Sequence, residues 1–302
     1  MSPSAPATGA QGPIGAVISL PTSAVAGEEL ARELGCPALR IDCHRFPDGE
    51  AKVSLPADLP ERVALFASLD DPDSKLVALM LAARTARELG VRELTLVAPY
   101  LCYMRQDIAF HPGEAVSQRI VGGFLASLFD AVVTVDPHLH RIATLSEAIP
   151  ARRTLALSAA PLIGRLVAQR VSDPLMLGPD GESIRWVEAA AQEGRFDFAA
   201  CTKNRLGDRS VEVRLPDRDF AGRAVVLVDD VASTGRTLVE ATRLLFGAGA
   251  ASVDVAVTHA LFVGSALDEL QAAGVRHVWS TDAVAHPTNA IRLAPLLAEA
   301  LR

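Results

Sequence analysis

The stretch VVLVDDVASTGRTLVEA, Val225 to Ala241, decides how the chain is read. Apolar residues of strand character run into two adjacent acids, Asp229 and Asp230. A turn of small and hydroxylated residues follows at 232–237, and then the amphipathic helix pattern RTLVEATRLLFGAG. A strand, a small-residue turn and a helix N-terminus together form an anion cradle. Gly235 permits close backbone approach, Ser233, Thr234 and Thr237 can donate hydroxyl hydrogen bonds, and the first helical turn has unpaired N–H groups. Ser and Thr are also ordinary N-cap residues, so the turn alone favours a plain capped helix. The two acids change that balance. They stand at the carboxyl end of a buried strand, where open α/β sheets bind ligands. Neither GxxxxGK[ST] nor GxGxxG is present.

Outward from this stretch, strand-length apolar runs alternate with helix-length patterns. The strands are expected at 15–19, 38–42, 63–68, 94–99, 132–136, 174–178, 196–200, 224–230, 253–259 and 277–281. Near-continuous apolar strands alternating with helices define an α/β protein with mainly parallel sheets. Helix–strand–polar units starting at Leu76 and Ala159 suggest a duplication, with two halves joined near residue 154. The segment 205–219, RLGDRSVEVRLPDRD, alternates charge along strand-like residues and reads as an exposed hairpin or flap. Residues 1–13 read as a flexible leader.

The 302 residues suffice for two domains, and 50% of them are hydrophobic. A net charge of −7 argues against a nucleic-acid binder but leaves room for a local phosphate site. The four cysteines, Cys36, Cys43, Cys102 and Cys201, match no zinc or CxxC spacing and read as reduced thiols. The leader has no signal-peptide pattern and no apolar run is long enough to span a bilayer, so a cytoplasmic protein is expected, without membrane or nucleic-acid partners.

The Val225–Ala241 stretch resembles the phosphoribosyl-pyrophosphate (PRPP) loop of type I phosphoribosyltransferase-fold proteins. In that family the acids contact the ribose hydroxyls and the turn holds the 5-phosphate. The resemblance implies two phosphoribosyltransferase-type α/β domains, at 14–153 and 154–290, related by pseudo-twofold symmetry. A C-terminal helix at 291–302 would return to the first domain.

Further segments resemble the ribose-phosphate diphosphokinases (PRPP synthases), in that family's order and over nearly the whole chain beyond the leader. HRFPDGEAKVSL (44–55) is similar to the turn that a neighbouring subunit offers to ATP, which implies a homodimer or higher homo-oligomer. By that match Phe46 stacks on the adenine, and Asp48 and Glu50 accept hydrogen bonds from the nucleotide. APYLCYMRQDIAFHPGEAVSQRI (98–120) resembles the family's ATP-binding stretch in its archaeal form, which implies ATP-binding roles for Arg105, Gln106 and Asp107. Ile108 and Ala109 stand where the family usually has basic residues. In VVTVDPHLHRI (132–142) the match to VDPH puts His138, rather than nearby His140, at the magnesium that bridges the ATP phosphates.

MLGPDGESIRW (176–186) matches a ribose-phosphate and metal segment through Asp180, with Glu182 replacing a family glycine. CTKNRL (201–206) matches the Lys-x-Arg ahead of a mobile flap, which implies a catalytic role for Lys203 and Arg205. The implied reaction transfers the diphosphoryl group of ATP to the C1 hydroxyl of ribose 5-phosphate, with Mg2+ as cofactor. Arg236 departs from the synthases' usual TGGT; TGRT is common among phosphoribosyltransferases. Two alternatives therefore stand at this point. One is a phosphoribosyltransferase acting on PRPP and a nucleobase, and the other is a non-catalytic regulator associated with PRPP synthase.

Overall fold

The computed structural model describes residues 12–139, 141–206 and 210–302, with side chains left out at 203–212. Most of the leader and His140 therefore fall outside the described residues. The first half runs β1 (Ala16–Ser19), α1 (Ala24–Leu34), β2 (Ala38–Arg40), β3 (Asp42–Arg45), β4 (Ala51–Ser54), β5 (Arg62–Phe66), α2 (Pro72–Glu88), β6 (Glu93–Ala98), α3 (Ser117–Leu128), β7 (Ala131–Val135), α4 (Leu145–Ala148) and β8 (Arg153–Leu157). The second runs α5 (Ala160–Arg170), β9 (Leu175–Gly178), α6 (Ile184–Gly194), β10 (Phe198–Ala200), β11 (Thr202–Leu206), β12 (Ser210–Arg214), β13 (Ala224–Ala232), α7 (Arg236–Gly247), β14 (Ser252–Ala260), α8 (Ala266–Ala272), β15 (Val275–Thr281), β16 (Asn289–Ile291) and α9 (Ala294–Leu301).

Two six-stranded sheets result, in the orders β2-β1-β5-β6-β7-β8 and β10-β9-β13-β14-β15-β16. Every strand pair within them is parallel. Parallel strands need both faces covered, which explains why they read as continuous apolar runs. In β5, Val63 and Leu65 face one core with Leu79 of α2 and Leu125 of α3. Ala64 and Phe66 face the other, with Leu30 of α1 and Leu297 of α9. In β13, Val225 and Leu227 pack with Leu238 and Leu245 of α7. Val226 and Val228 pack with Ile163 of α5 and Val187 of α6. The last helix of the chain thus completes a face of the first sheet, and burying Leu297 alone contributes about 2 kcal/mol.

Each half also carries an antiparallel hairpin, β3-β4 and β11-β12, inserted after the second strand of its half. The matching sheet orders correct the duplication expected from the sequence. There the α2–β6 unit was set against α5–β9, but the sheet positions pair α2–β6 with α7–β14, and β9 with β1. A helix followed by a strand has no position of its own; neighbours in the sheet supply it. Smaller corrections follow from tertiary pairing. The 38–42 run breaks at Ile41, which turns inward while its N–H donates to the Ser19 carbonyl at 3.0 Å. β13 continues past the two acids to Ala232, because β14 pairs with it that far. Short strands β4, β8 and β16 were not anticipated, being partly exposed and weakly apolar.

The loop after β15 ties α9 down: the Leu293 N–H donates to Asp282 Oδ1 at 2.9 Å. Burial pushes the Asp282 carboxyl up to about 6; the Leu293 N–H opposes this and nearby Glu29 adds to it. The folded state therefore holds a proton that the unfolded chain releases near 3.8. This group's stabilising contribution is complete below that value and is lost as pH rises to about 6. Asp282→Asn keeps an acceptor for Leu293 and removes the titration. Its stability relative to the parent should rise across that window and level off at about 3 kcal/mol, the linkage value for that shift, in denaturant melts over pH. A flat difference would assign the proton elsewhere.

Candidate active site

β13 delivers Asp229 and Asp230 to the carboxyl edge of the second sheet. Asp230 is buried, while Asp229 keeps a partial opening to solvent. The strand passes into a turn at Ser233–Gly235, where Gly235 takes φ 69° and ψ −1°, a left-handed conformation, directly before α7. No side chain caps that helix. The segment after β14 holds the turn in place: the N–H groups of Leu261, Phe262 and Val263 donate to the carbonyls of Ala232, Ala232 and Ser233 at 2.9–3.1 Å. Thr234 and Arg236 are exposed, and Ser233 and Thr237 half-buried.

The two acids are electrostatically unequal. Asp229 is pushed well above the carboxylate range, first by the protein around it and then by the charges of Asp230 and Asp180. Asp230 goes the other way. Burial acts against it, but His138 outweighs burial through its hydrogen bond and charge, with His259 adding to the effect. His138 Nδ1 lies 2.8 Å from Asp230 Oδ2. One acid of the pair thus retains its charge, and the other holds a proton more tightly.

A cavity of about 150 Å³ opens beside them, lined among others by Tyr100, Arg105, Gln106, His138, Val231 and His259. Three segments expected to act together from the sequence therefore meet: the RQD stretch, the VDPH stretch and the strand of the PRPP loop. Asp107 does not join them. It is 5% exposed and pairs with Arg141 Nη1 at 2.6 Å, while its Oδ2 has no hydrogen-bond partner. Asp180 Oδ1 accepts the Glu182 N–H at 3.0 Å, at the head of a single 3-10 turn, Gly181–Ser183.

The PDGE turn is the tip of the β3-β4 hairpin. The Phe46 N–H donates to the Glu50 carbonyl at 2.8 Å, and Asp48 Oδ1 accepts the Glu50 N–H at 3.1 Å. Phe46 is 42% exposed, edge-on to His44. This hairpin lines a different crevice, of about 920 Å³, with Asp71, Asp73 and Lys75. Within one chain, Phe46, Asp48 and Glu50 are not among the residues lining the His138 cavity. Lys203 and Arg205 occupy β11, opposite Val213 and Val211 of β12. Their side chains are outside the described residues.

One participant escaped the sequence reading. Asp136, at the end of β7, is 4% exposed and receives three donors from the second half. Trp186 Nε1 reaches Oδ1 at 2.8 Å; the Ala159 N–H and Thr258 Oγ1 reach Oδ2 at 3.0 and 2.7 Å. Its φ of 39° is left-handed although a proline follows, a strain of order 1–3 kcal/mol. Buried His259 Nε2 lies 3.0 and 3.2 Å from the carbonyls of Val135 and Asp136. The available sequence signal was weak: an acid ahead of a proline at a strand end.

Comparison with known proteins identifies the class. Residues 16–128 match the N-terminal domain of ribose phosphate pyrophosphokinase, and residues 155–276 match the phosphoribosyl transferase domain. In fold, the chain superposes on phosphoribosylpyrophosphate synthetase from Mycobacterium smegmatis with TM-score 0.81 at 23% identity, over 95% of this chain and 97% of that one. The molecule is thus a two-domain protein of phosphoribosyltransferase type. Ribose-phosphate pyrophosphokinase from Methanopyrus kandleri is 37% identical over 91% of this chain and 94% of its own. The enzyme of that name from Saccharolobus solfataricus is 33% identical over 85% and 89%. The chain belongs to the ribose-phosphate pyrophosphokinase family. Its activity is PRPP synthesis, with ATP and ribose 5-phosphate as the implied substrates, in a family that generally requires Mg2+. The transferase and regulator alternatives give way to this reading. Among the described residues no helix is long and apolar enough to cross a membrane.

Gly235 permits a direct check of the turn. A Cβ there would meet only Ala266 and Leu270, at 3.6 Å or more, so space is available and only the backbone angle objects. Gly235→Ala should cost about 1 kcal/mol in a denaturant melt and raise KM for ribose 5-phosphate more than KM for ATP. Equal effects on both KM values would remove the turn from sugar-phosphate binding.

Proposed function

We propose that the crevice between the two halves carries out this diphosphoryl transfer with the residues assigned as follows. Ser233, Thr234, Gly235 and Thr237 hold the 5-phosphate, with Arg236 beside them at the exposed start of α7. Asp229 and Asp230 orient the ribose hydroxyls. Arg105 and Gln106 bind ATP, and Asp107 acts through Arg141 rather than by direct contact. The observation that carries the reading is the convergence of Arg105, Gln106 and His138 on one cavity beside Asp230.

The ribose C1 oxygen attacks the β-phosphorus of ATP. The bond from that phosphorus to the α-phosphate oxygen breaks, AMP leaves, and the hydroxyl proton passes to solvent or a nearby base. Such a transfer needs positioning and charge neutralisation more than covalent chemistry. Lys203 and Arg205 offset the charge that develops on the moving group. The β11-β12 hairpin, with the segment running to residue 219, closes over it and excludes water. His138 and Asp180 are the residues that would hold magnesium. The described residues contain no group of three or more His, Cys, Asp or Glu placed to hold a metal. Magnesium prefers oxygen ligands, and phosphate and water would complete its shell beside these two side chains. The ion, when held there, would supply neutralisation of phosphate charge.

The PDGE turn is exposed and is not among the residues lining its own chain's His138 cavity, which supports its use by a neighbouring copy. The active unit is then a homodimer or larger homo-oligomer. Four unpaired thiols, among them buried Cys102 with its pKa pushed up to about 12, suit a cytoplasmic setting.

Purified protein given ATP, Mg2+ and ribose 5-phosphate should form AMP and PRPP in equal amounts. Lys203→Ala should lower kcat by roughly 10²–10³-fold with little change in KM, the size of loss expected for one transition-state charge contact. Full activity of that variant would end the lysine's catalytic assignment. Phe46→Ala should raise KM for ATP by about tenfold or more, as loss of a base–aromatic stack predicts. Mixing the Lys203→Ala and Phe46→Ala proteins should restore part of the activity if the turn acts across an interface. No recovery after subunit exchange would place the turn within its own chain.

A further inference from the structure

We infer that Asp136 is a positioning residue: clamped by the second half of the chain, it sets the place of His138 against Asp230. The inference rests on the assignment of His138 and Asp230 to the active site. Both Asp136 carboxylate oxygens are committed, and all three donors come from beyond β8: the Trp186 indole N–H on α6, the Ala159 N–H at the head of α5, and the Thr258 hydroxyl on β14. The Asp136 carbonyl is engaged as well, 3.2 Å from His259 Nε2. Arg185 Nη2 donates to the carbonyl of Leu139 at 3.3 Å, so the second half grips the chain on both sides of His138. Between those grips lie only Pro137, whose φ is fixed by its ring, and His138 itself. The imidazole thus reaches Asp230 from a peptide with little freedom left.

The carboxylate matters as an acceptor of hydrogen bonds. An asparagine would turn its NH2 group either toward the indole N–H or toward the Ala159 and Thr258 donors, and either choice sets donor against donor. With both oxygens buried and already accepting donors from the second half, the carboxylate serves as an architectural group.

The experiment is a double-variant cycle with steady-state kinetics and thermal melts, using Asp136→Asn, Thr258→Val and His138→Ala on the full chain. Asp136→Asn should lower kcat about 10- to 100-fold, the loss expected when a reacting group is misplaced. Thr258→Val should lower it by several-fold, with both KM values within about twofold of the parent. In the His138→Ala background neither change should lower kcat further, because the group being positioned is already gone. A purely structural Asp136 would instead lower the thermal midpoint while each loss multiplied with that of His138→Ala. Multiplying losses, or a Thr258→Val protein with the parent's kcat, overturns the inference and leaves the active-site assignment standing. Full activity of His138→Ala overturns both. If Asp136→Asn does not fold, Thr258→Val is read by the same criteria.

Discussion

A buried carboxylate, that of Asp136, fixes how the two halves of this enzyme meet. Removing an aspartate from water costs several kcal/mol unless its oxygens find donors, and the first half of the chain does not provide them. The donors for Asp136 are an indole, a backbone amide and a threonine hydroxyl, all supplied by the second half. The two sheets must therefore meet in one register for that charge to be tolerated. Apolar contact alone would allow sliding, whereas three directional bonds do not. The carboxyl ends of both sheets are thereby turned toward a common crevice, lined by Arg105, Gln106 and His138 from the first half and by Val231 and His259 from the second.

Within the crevice, neighbouring acids behave differently because their surroundings differ. Asp230 has a histidine from the other half within hydrogen-bond distance; Asp229 has mostly protein and two further acids. Proximity of like charges is thus resolved by the interface itself.

The sequence revealed what is local. AVVLVDD read as a buried strand because both its faces are covered, and ASTGRT read as an anion turn because a glycine and hydroxyls precede a helix. The family resemblance identified the reaction through short segments scattered along the chain. What stayed hidden was non-local. Asp107 looked like a binding residue because it adjoins Arg105 and Gln106, yet a strand-end loop turns it inward onto Arg141. Asp136 looked like a spacer before His138, since its partners lie at 159, 186 and 258. The duplication was visible, but its register was not, because only sheet order distinguishes α2 from α5 as the counterpart of α7. With that register corrected, the PDGE hairpin and the hairpin bearing Lys203 become equivalent insertions, and the Asp70–Asp71 loop becomes the counterpart of the phosphate turn.

The packing of α9 against Val17 and Leu30 carries a consequence for synthesis of the chain. As the polypeptide leaves the ribosome, the first sheet can pair its strands long before the helix that covers one of its faces exists. That face stays open until the whole second sheet has been made. The N-terminal half therefore does not complete its core as an independent early-folding unit, although it comes first in the chain. The two halves form one cooperative folding unit, in which a helix made after the second sheet closes the domain that was begun first.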